Sequence, residues 1–451
     1  MRSKNRLSRR ALLGGLAGVG GAAVLSAVLP THRALSALPN NPDVVIIGAG
    51  MAGLAAAKAL MADGFEVVVV EARNRIGGRA YAPSDAFGLP FDHGCAWLHS
   101  ADENPVTEIA ENFGFEFFDD SDPEWWLYRD GEEGSEDDYD DAENAYGRLG
   151  RAIEDAADEG YDVSSAEFQP SGWPGELAAS LEGPMEAGVD LKDLSTADVA
   201  SQIGTGVEWL VPGGLGNVVA RFGDGVPVSL QTAVSSVEWG GTGVTVRTDK
   251  GDIQAEAVLV TASTGVLGAG MIGFTPDLPD WKQQAIADVP MGLLDKIALR
   301  LKRNILEAEP TTHLSQVRSA GVFNGWLLNT FDANLAVGFV GGSDAWALEQ
   351  EGEAAMHAFG VQVLKEMFGN DIEAELEPAS VITRWGADPL AMGAYSASKP
   401  GRNKSRRKLA KPVGDRVFFA GEACIPKWAT QVSGAYLSGL EAAEDIAEII
   451  G

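Results

Sequence analysis

The apolar residues of this chain fall first into short continuous runs and later into alternating ones. Val44–Ile47 is a run of branched aliphatic residues that leads directly into Gly48-Ala49-Gly50-Met51-Ala52-Gly53. A short run bounded by glycine predicts a strand buried on both faces. The Ala/Leu-rich stretch after it predicts a helix, and Val67–Val70, ending on Glu71, predicts a second buried strand. Strand, helix and strand at this spacing make a parallel βαβ unit. Farther on the pattern alternates. Val226–Leu230, Val234–Trp239, Val244–Thr248, Ile253–Ala255 and Ala257–Thr261 read as strands, separated by Gly240-Gly241 and Lys250-Gly251-Asp252 turns. Ile297–Leu301, Trp326–Phe331 and Ala336–Val340 read as further strands, and Gly352–Met367 as an amphipathic helix. Arg416–Ala420 predicts a last buried strand, followed by a long helix from about Gly434 to Ile450. Asp102–Gly204 is different: acid-rich, helical in period and poor in β-runs, it reads as a helical insertion. No repeat of solenoid type is visible.

The opening unit carries chemistry. Gly48 allows a tight turn out of the strand, Gly50 lets a pyrophosphate approach the backbone, and Gly53 lets the helix pack closely on the strand. The free N–H groups at the helix start face the phosphates. Glu71 lies 18 residues after Gly53, at the tip of the second strand, where a carboxylate accepts from ribose hydroxyls. The fold class is therefore α/β, with a Rossmann-like dinucleotide-binding domain. The late strand ending at Gly421-Glu422 suits a return to the same sheet, with a mixed α+β substrate domain inserted between. Gly77-Gly78-Arg79 adds a small-residue turn followed by a guanidinium suited to phosphate.

Charge and composition narrow the partners. The formal net charge is −31 over 451 residues. A surface this acidic repels nucleic acid and anionic membranes, attracts cationic small molecules and favours solubility in salt. From Asp119 to Glu143 there are thirteen acids against Arg129 alone, which reads as a solvated face. At the N-terminus, Ser8-Arg9-Arg10-Ala11-Leu12-Leu13 precedes a Gly/Ala/Val/Leu-rich run to about Leu29. This predicts a twin-arginine export signal over residues 1–37 and a periplasmic or secreted protein, without stable membrane insertion once the signal is removed. That route carries folded proteins, which suits a chain loaded with its cofactor before export. Cys95 and Cys424 form no metal-ligand spacing and the five histidines do not cluster, so no metal is expected.

Ordered motifs then carry a family resemblance. They are Ile47–Leu54, Val70–Arg79, Asp92–His99, Thr261–Leu267 with Phe274-Thr275-Pro276, Asp295-Lys296-Ile297, Arg384–Tyr395, Phe418–Ala423 and Ser433–Gly439. Together they resemble the FAD-dependent, flavin-containing amine oxidases, and within them the polyamine oxidases, over nearly the whole chain after the signal. The resemblance implies a discontinuous FAD-binding domain over residues 42–100, 205–290 and 380–451. Residues 101–204 and 291–379 would form the substrate-binding domain with its helical insertion. It implies FAD contacts from Gly48, Gly50, Met51, Ala52, Gly53, Glu71, Ala72, Arg73, Gly78, Arg79, Ala96, Trp97, Val234, Trp385, Gly421, Glu422, Gln431 and Val432. The covalent-flavin members carry cysteine where this chain has Ala394, so the resemblance implies non-covalent FAD.

For catalysis the resemblance implies Lys296, His99, Tyr395, Trp385 and Gln431. Lys296 would hold a water near the reactive flavin nitrogen, with desolvation favouring its neutral form. His99 would meet substrate or an active-site water. Trp385 would lie beside the flavin, and Tyr395 would form one wall of an amine cage. Gln431 stands where the second aromatic wall is expected. Asp92 suits either a hydrogen-bonding role in the cofactor domain or an anchor for a substrate amine. The implied activity is oxidation of a polyamine or other secondary amine to an imine, which hydrolyses to aldehyde plus amine while dioxygen becomes hydrogen peroxide. The alternatives are an L-amino acid oxidase or a nicotine-type amine dehydrogenase using an electron-carrier protein. An amino acid substrate needs a carboxylate-binding arginine, for which Arg318 or Arg384 could serve. An alternative of another class is a flavin-binding protein without amine turnover.

Overall fold

A computed structural model describes residues 33–34, 41–318 and 324–451. The twin-arginine motif and its apolar run lie outside these residues. Val44–Ile47 and Val67–Val70 are buried parallel strands in direct register, joined by the helix Met51–Ala62. The strand Pro227–Ser229 lies on one side of them. Ala257–Val260 lies on the other and pairs in turn with Val417–Phe419, again in parallel. Arg33–Ala34 pairs with Pro227–Val228 at the edge. One six-stranded parallel sheet is thus assembled from the beginning, middle and end of the chain. Its three central strands, Val44–Ile47, Val67–Val70 and Ala257–Val260, are aliphatic throughout because both faces of the sheet are covered. The last helix, Val432–Ile450, packs along Met51–Ala62. An alanine Cβ at Gly439 would come within 2.2 Å of the Ala52 carbonyl oxygen, so the helices approach at backbone distance only because that residue is glycine. A four-stranded sheet holds Val234–Glu238, Val244–Thr248, Gly251–Ala255 and Gly273–Thr275. This mixture of helices and sheets is the expected α/β class.

The second main body is a seven-stranded sheet built around Leu294–Leu301, which is antiparallel to both Leu335–Gly341 and Leu376–Ile382. Two expectations change here. The acid-rich insertion is not purely helical, because Trp125–Arg129 joins this sheet in parallel with Thr312–Val317. Its run Trp125-Trp126-Leu127-Tyr128 is β-prone, and the tertiary pairing outweighs the surrounding helical pattern. The expected strand Trp326–Phe331 instead spans Asn324–Leu328, and Asn329, Phe331 and Asp332 turn the chain with positive φ.

The insertion's long helix, Glu136–Asp158, is capped by Ser135 and Asp138 and buries the stripe Ala142, Ala145, Leu149, Ile153 and Ala156. Most of its acids face water, as the charge run predicts. Asp120 does not: it is buried. A buried ion pair ties the insertion to the rest of the molecule. Arg406 Nε and Nη2 donate to the two carboxylate oxygens of Asp198 at 2.6 and 2.7 Å, and its Nη1 donates to Ser396 Oγ at 2.7 Å. Cys95 and Cys424 are free thiols. Among the described residues no helix is long and apolar enough to cross a membrane, and no cluster suits a metal.

Candidate active site

The first strand turns through Gly48, whose φ of +105° favours glycine. Gly50 begins the helix without a side-chain cap, so the N–H groups of the first turn remain for an anionic group. Gly77 donates its N–H to the Ala49 carbonyl oxygen, and a Cβ on Gly78 would lie 3.4 Å from Gly50 Cα. The two glycine segments therefore form one cradle. A Cβ on Gly50 meets no protein atom within 4 Å, whereas one on Gly53 would sit 2.0 Å from the Gly48 carbonyl oxygen. The open space at Gly50 is room for a ligand, and the contact at Gly53 is helix packing. Gly50→Ala is expected to keep the melting temperature of the cofactor-free chain and lose at least about tenfold in FAD affinity. Gly53→Ala is expected to destabilise the fold by about 1–3 kcal/mol. Calorimetry and flavin titration separate the two.

Glu71 accepts N–H groups from Ala49 and Arg73 at 2.9 and 2.7 Å, which fixes the turn and leaves lone pairs for ribose. Arg73 is drawn to Asp388 at 2.7 Å. Arg79 donates Nη1 to Glu422 at 2.9 Å and to the Ala394 carbonyl oxygen at 2.8 Å. Glu422 also accepts from Ser396 Oγ at 2.6 Å and Thr430 N at 3.2 Å. Burial alone would raise its pKa, but Arg79 and Arg406 outweigh that and hold it below the ordinary glutamate value. A cleft opens at the ends of Ala257–Val260 and Val417–Phe419, between Thr261–Thr264 and Gly421–Cys424, with Arg79 on its wall. Strand ends of this kind are where ligands sit in open α/β sheets. The uncapped helix, the open space at Gly50, Glu71 and this cleft fit an extended dinucleotide such as FAD. Val234 begins its strand half-buried beside the Rossmann sheet, and Gln431 stands just before the last helix without capping it, its Oε1 accepting from Ser433 Oγ at 3.1 Å.

Lys296 reaches the segment before the Trp97–His99 strand. Its Nζ donates to the Asp92 and Gly94 carbonyl oxygens at 2.7 and 2.8 Å. Burial pushes its pKa down to about 8, against the opposing pull of Asp92. Trp385 Nε1 donates to the His93 carbonyl oxygen at 3.0 Å, so Lys296 and Trp385 converge on adjacent main-chain groups. The two readings of Asp92 are resolved by its partners. Its oxygens accept the N–H groups of Leu215 and Gly216 at 2.9 and 2.8 Å, capping the helix Leu215–Phe222, so it is a hydrogen-bonding residue of the fold.

His99 and Tyr395 meet a different group. His99 Nδ1 lies 2.6 Å from Glu208 Oε2. A carboxylate only accepts, so Nδ1 carries the hydrogen. Burial opposes protonation of His99, but the hydrogen bond and charge of Glu208 outweigh it and raise its pKa. The His99 ring stacks on Trp97 at 6.3 Å, and Phe339 lies between Trp97 and Lys296, 5.9 Å from each. Tyr395 donates its hydroxyl to the Met185 carbonyl oxygen at 2.9 Å. Burial and then Glu186 hold that phenol far above its ordinary pKa.

Glu186, which the sequence did not single out, interacts electrostatically with His99, Glu208, His313 and Tyr395. It is exposed, and it lies close enough to these four side chains for their charges to act on one another. Asp120 accepts from Trp97 Nε1 at 2.7 Å and lies 3.0 Å from His313 Nε2. The histidines do not cluster in sequence, yet His99 and His313 flank one acidic group in space. The only available signal was a lone acid in the apolar run Val207-Glu208-Trp209-Leu210. The two arginines considered for a substrate carboxylate are committed elsewhere, Arg318 to Glu366 at 2.9 Å and Arg384 to the Glu349 carbonyl oxygen at 3.2 Å.

Comparisons with known proteins agree with this geometry. The profile of the flavin containing amine oxidoreductases matches residues 51–447. Polyamine oxidase 4 of Oryza sativa subsp. japonica is 28% identical over 461 residues, covering 93% of this chain and 91% of its own length. Cyclohexylamine oxidase from Brevibacterium oxydans IH-35A superposes with a TM-score of 0.73 at 26% identity, covering 90% of this chain and 99% of its own. Putrescine oxidase bound to putrescine shares the fold with a TM-score of 0.75 at 20% identity, covering 91% of this chain and all of its own. The chain belongs to the flavin-containing amine oxidoreductases and is an FAD-dependent amine oxidase.

Proposed function

We propose that the enzyme oxidises a polyamine or other secondary amine to an imine, which water hydrolyses to an aldehyde and an amine. Dioxygen is the final electron acceptor, hydrogen peroxide is the second product, and the FAD is held non-covalently. The protein works outside the cytoplasm after twin-arginine export. When bound, FAD supplies the two-electron acceptor that side chains lack.

The residues supply binding, orientation and proton control. Glu186 and Glu208 give the surroundings of His99 and Tyr395 a negative field that draws in a cation. Tyr395 and Trp97 offer aromatic surface to an alkylammonium group. The Tyr395 hydroxyl is fixed on Met185, so the ring presents its face in a set orientation. The amine must lose its proton before it can be oxidised. The His99–Glu208 pair leaves His99 Nε2 as the position that meets the amine or a water. Lys296 fixes two of its three N–H groups on main-chain carbonyls and keeps one for a water.

The observation that carries this reading is Glu186, an exposed carboxylate beside His99, Glu208 and Tyr395, while Arg318 and Arg384 are held by Glu366 and the Glu349 carbonyl oxygen. An L-amino acid would bring a carboxylate into this acidic site, which the charge disfavours. Glu186→Gln is expected to raise KM for spermidine about tenfold, with a smaller change in kcat and little change for a monoamine of similar length. Peroxide release under steady-state conditions measures it. Equal effects on both amines would remove Glu186 from substrate recognition.

A further inference from the structure

Asp295 and Glu349 are two buried carboxyl groups that the chemistry above does not use. Asp295 lies on the strand Leu294–Leu301, one residue before Lys296, and Glu349 lies on the helix Gly342–Glu351. Asp295 Oδ1 accepts from Thr383 Oγ1 at 2.9 Å and from Trp385 N at 3.0 Å. Glu349 Oε1 accepts from Gly386 N at 2.8 Å. Two successive N–H groups of the tryptophan turn are therefore held by carboxyls from two different elements. The second oxygen of Asp295 is buried and has no donor. The neighbour within hydrogen-bonding reach of the Asp295 carboxyl is the Glu349 carboxyl itself.

We propose that Asp295 and Glu349 share a single proton, and that this protonated pair is the positioning device that ties the Trp385–Gly386 turn to the strand carrying Lys296.

One proton meets two requirements. It gives the orphaned oxygen a hydrogen bond, and it avoids placing two negative charges in contact away from water. Nearby charged groups do not neutralise the pair. Lys296 turns its Nζ to Asp92 and Gly94, Arg384 donates to the Glu349 main-chain oxygen, and Asp388 is paired with Arg73. Beside Glu349, the groups that act most on Asp295 are the Trp385 N–H and the Thr383 hydroxyl, both donors to Oδ1. Burial, reinforced by Glu349, pushes the Asp295 carboxyl up to about 8.

The sign of the pH dependence follows. The unfolded chain has released this proton by about pH 5, whereas the folded chain keeps it until about pH 8. The native state binds more protons over that interval, so its stability falls as pH rises. Glu349→Gln replaces the shared proton with an amide N–H that does not titrate. In denaturant unfolding of the holoenzyme, the wild-type folding constant divided by that of E349Q is expected to fall up to about tenfold per pH unit across the interval. Asp295→Asn is expected to behave as E349Q does. Hydrogen exchange of the peptide over residues 383–388, corrected for intrinsic rates, reads the positioning directly. The wild type is expected to lose protection above about pH 8 and E349Q to keep it.

Parallel stability curves, or equal protection in the two proteins, would overturn the proposal. If the variants do not fold, infrared spectroscopy of the wild-type holoenzyme decides. A protonated-carboxyl band present at neutral pH and lost above about pH 9 supports the shared proton, and its absence at neutral pH refutes it.

Discussion

Lys296→Met is expected to leave flavin bleaching by the amine within a few-fold of the wild type and to slow reoxidation by dioxygen by about 10²-fold. The magnitude is that of a single positioned proton donor or charge in a water-poor site. The geometry explains why reoxidation bears the loss. Lys296 is 6% exposed and its ammonium is pinned by two carbonyl oxygens, which leaves one N–H to aim at a water. A buried positive charge stabilises negative charge developing on oxygen far better than one in water does. Burial lowers the lysine to about 8, so the ammonium still predominates at neutral pH. The wild-type reoxidation rate should therefore fall as pH rises through about 8, and the variant should lose that inflection. Stopped-flow mixing of the reduced enzyme with oxygenated buffer measures both. An unchanged oxygen step would remove this role for Lys296.

Glu422→Ala is expected to yield a protein that purifies without flavin and is less stable by about 3–5 kcal/mol, the range for breaking a buried ion pair from one side. The carboxylate is 6% exposed and joins Arg79 to Ser396, which is in turn held by Arg406. Its removal leaves Arg79 without its carboxylate partner, while Arg406 keeps Asp198. Because its folded pKa is depressed, the unfolded chain binds more protons in acid. The stabilisation is complete above the ordinary glutamate value of 4.5 and is lost as pH falls through the lower folded value. Glu422→Gln should keep part of the hydrogen bonding and show a weaker acid dependence. Flavin content after gel filtration and denaturant unfolding at two pH values test this.

The cofactor half of the molecule was legible because its chemistry is local. Val44–Ile47, the glycines from Gly48 to Gly53 and Glu71 all lie within one βαβ unit, and each is required by backbone geometry. The hidden features are long-range. Strand Trp125–Arg129 sits inside an acid-rich segment, and its pairing with Thr312–Val317 depends on a partner nearly two hundred residues away. The acidic groups around His99 are similarly dispersed. Asp120, Glu186, Glu208 and His313 have no common spacing, and Asp120 lies within a charge run whose other members are mostly solvated. The Asp295–Glu349 contact also leaves no sequence signature, because it depends on a helix packing against a strand. In the sequence Asp92 suits two roles, a hydrogen-bonding residue of the cofactor domain and a substrate anchor, and only the fold, which brings the N–H groups of Leu215 and Gly216 to its oxygens, selects the first.

A cationic amine received between the acidic groups Glu186 and Glu208 and the rings of Tyr395 and Trp97 would reduce the flavin. The most direct measurement is anaerobic mixing of the FAD-loaded enzyme with a panel of spermidine, spermine, acetylated polyamines, putrescine, nicotine and L-amino acids, followed by admission of air. Flavin absorbance is expected to fall rapidly with at least one polyamine and little with amino acids, and to recover in air with release of hydrogen peroxide. Reduction by L-amino acids alone, or by no amine at all, would contradict this reading of the site.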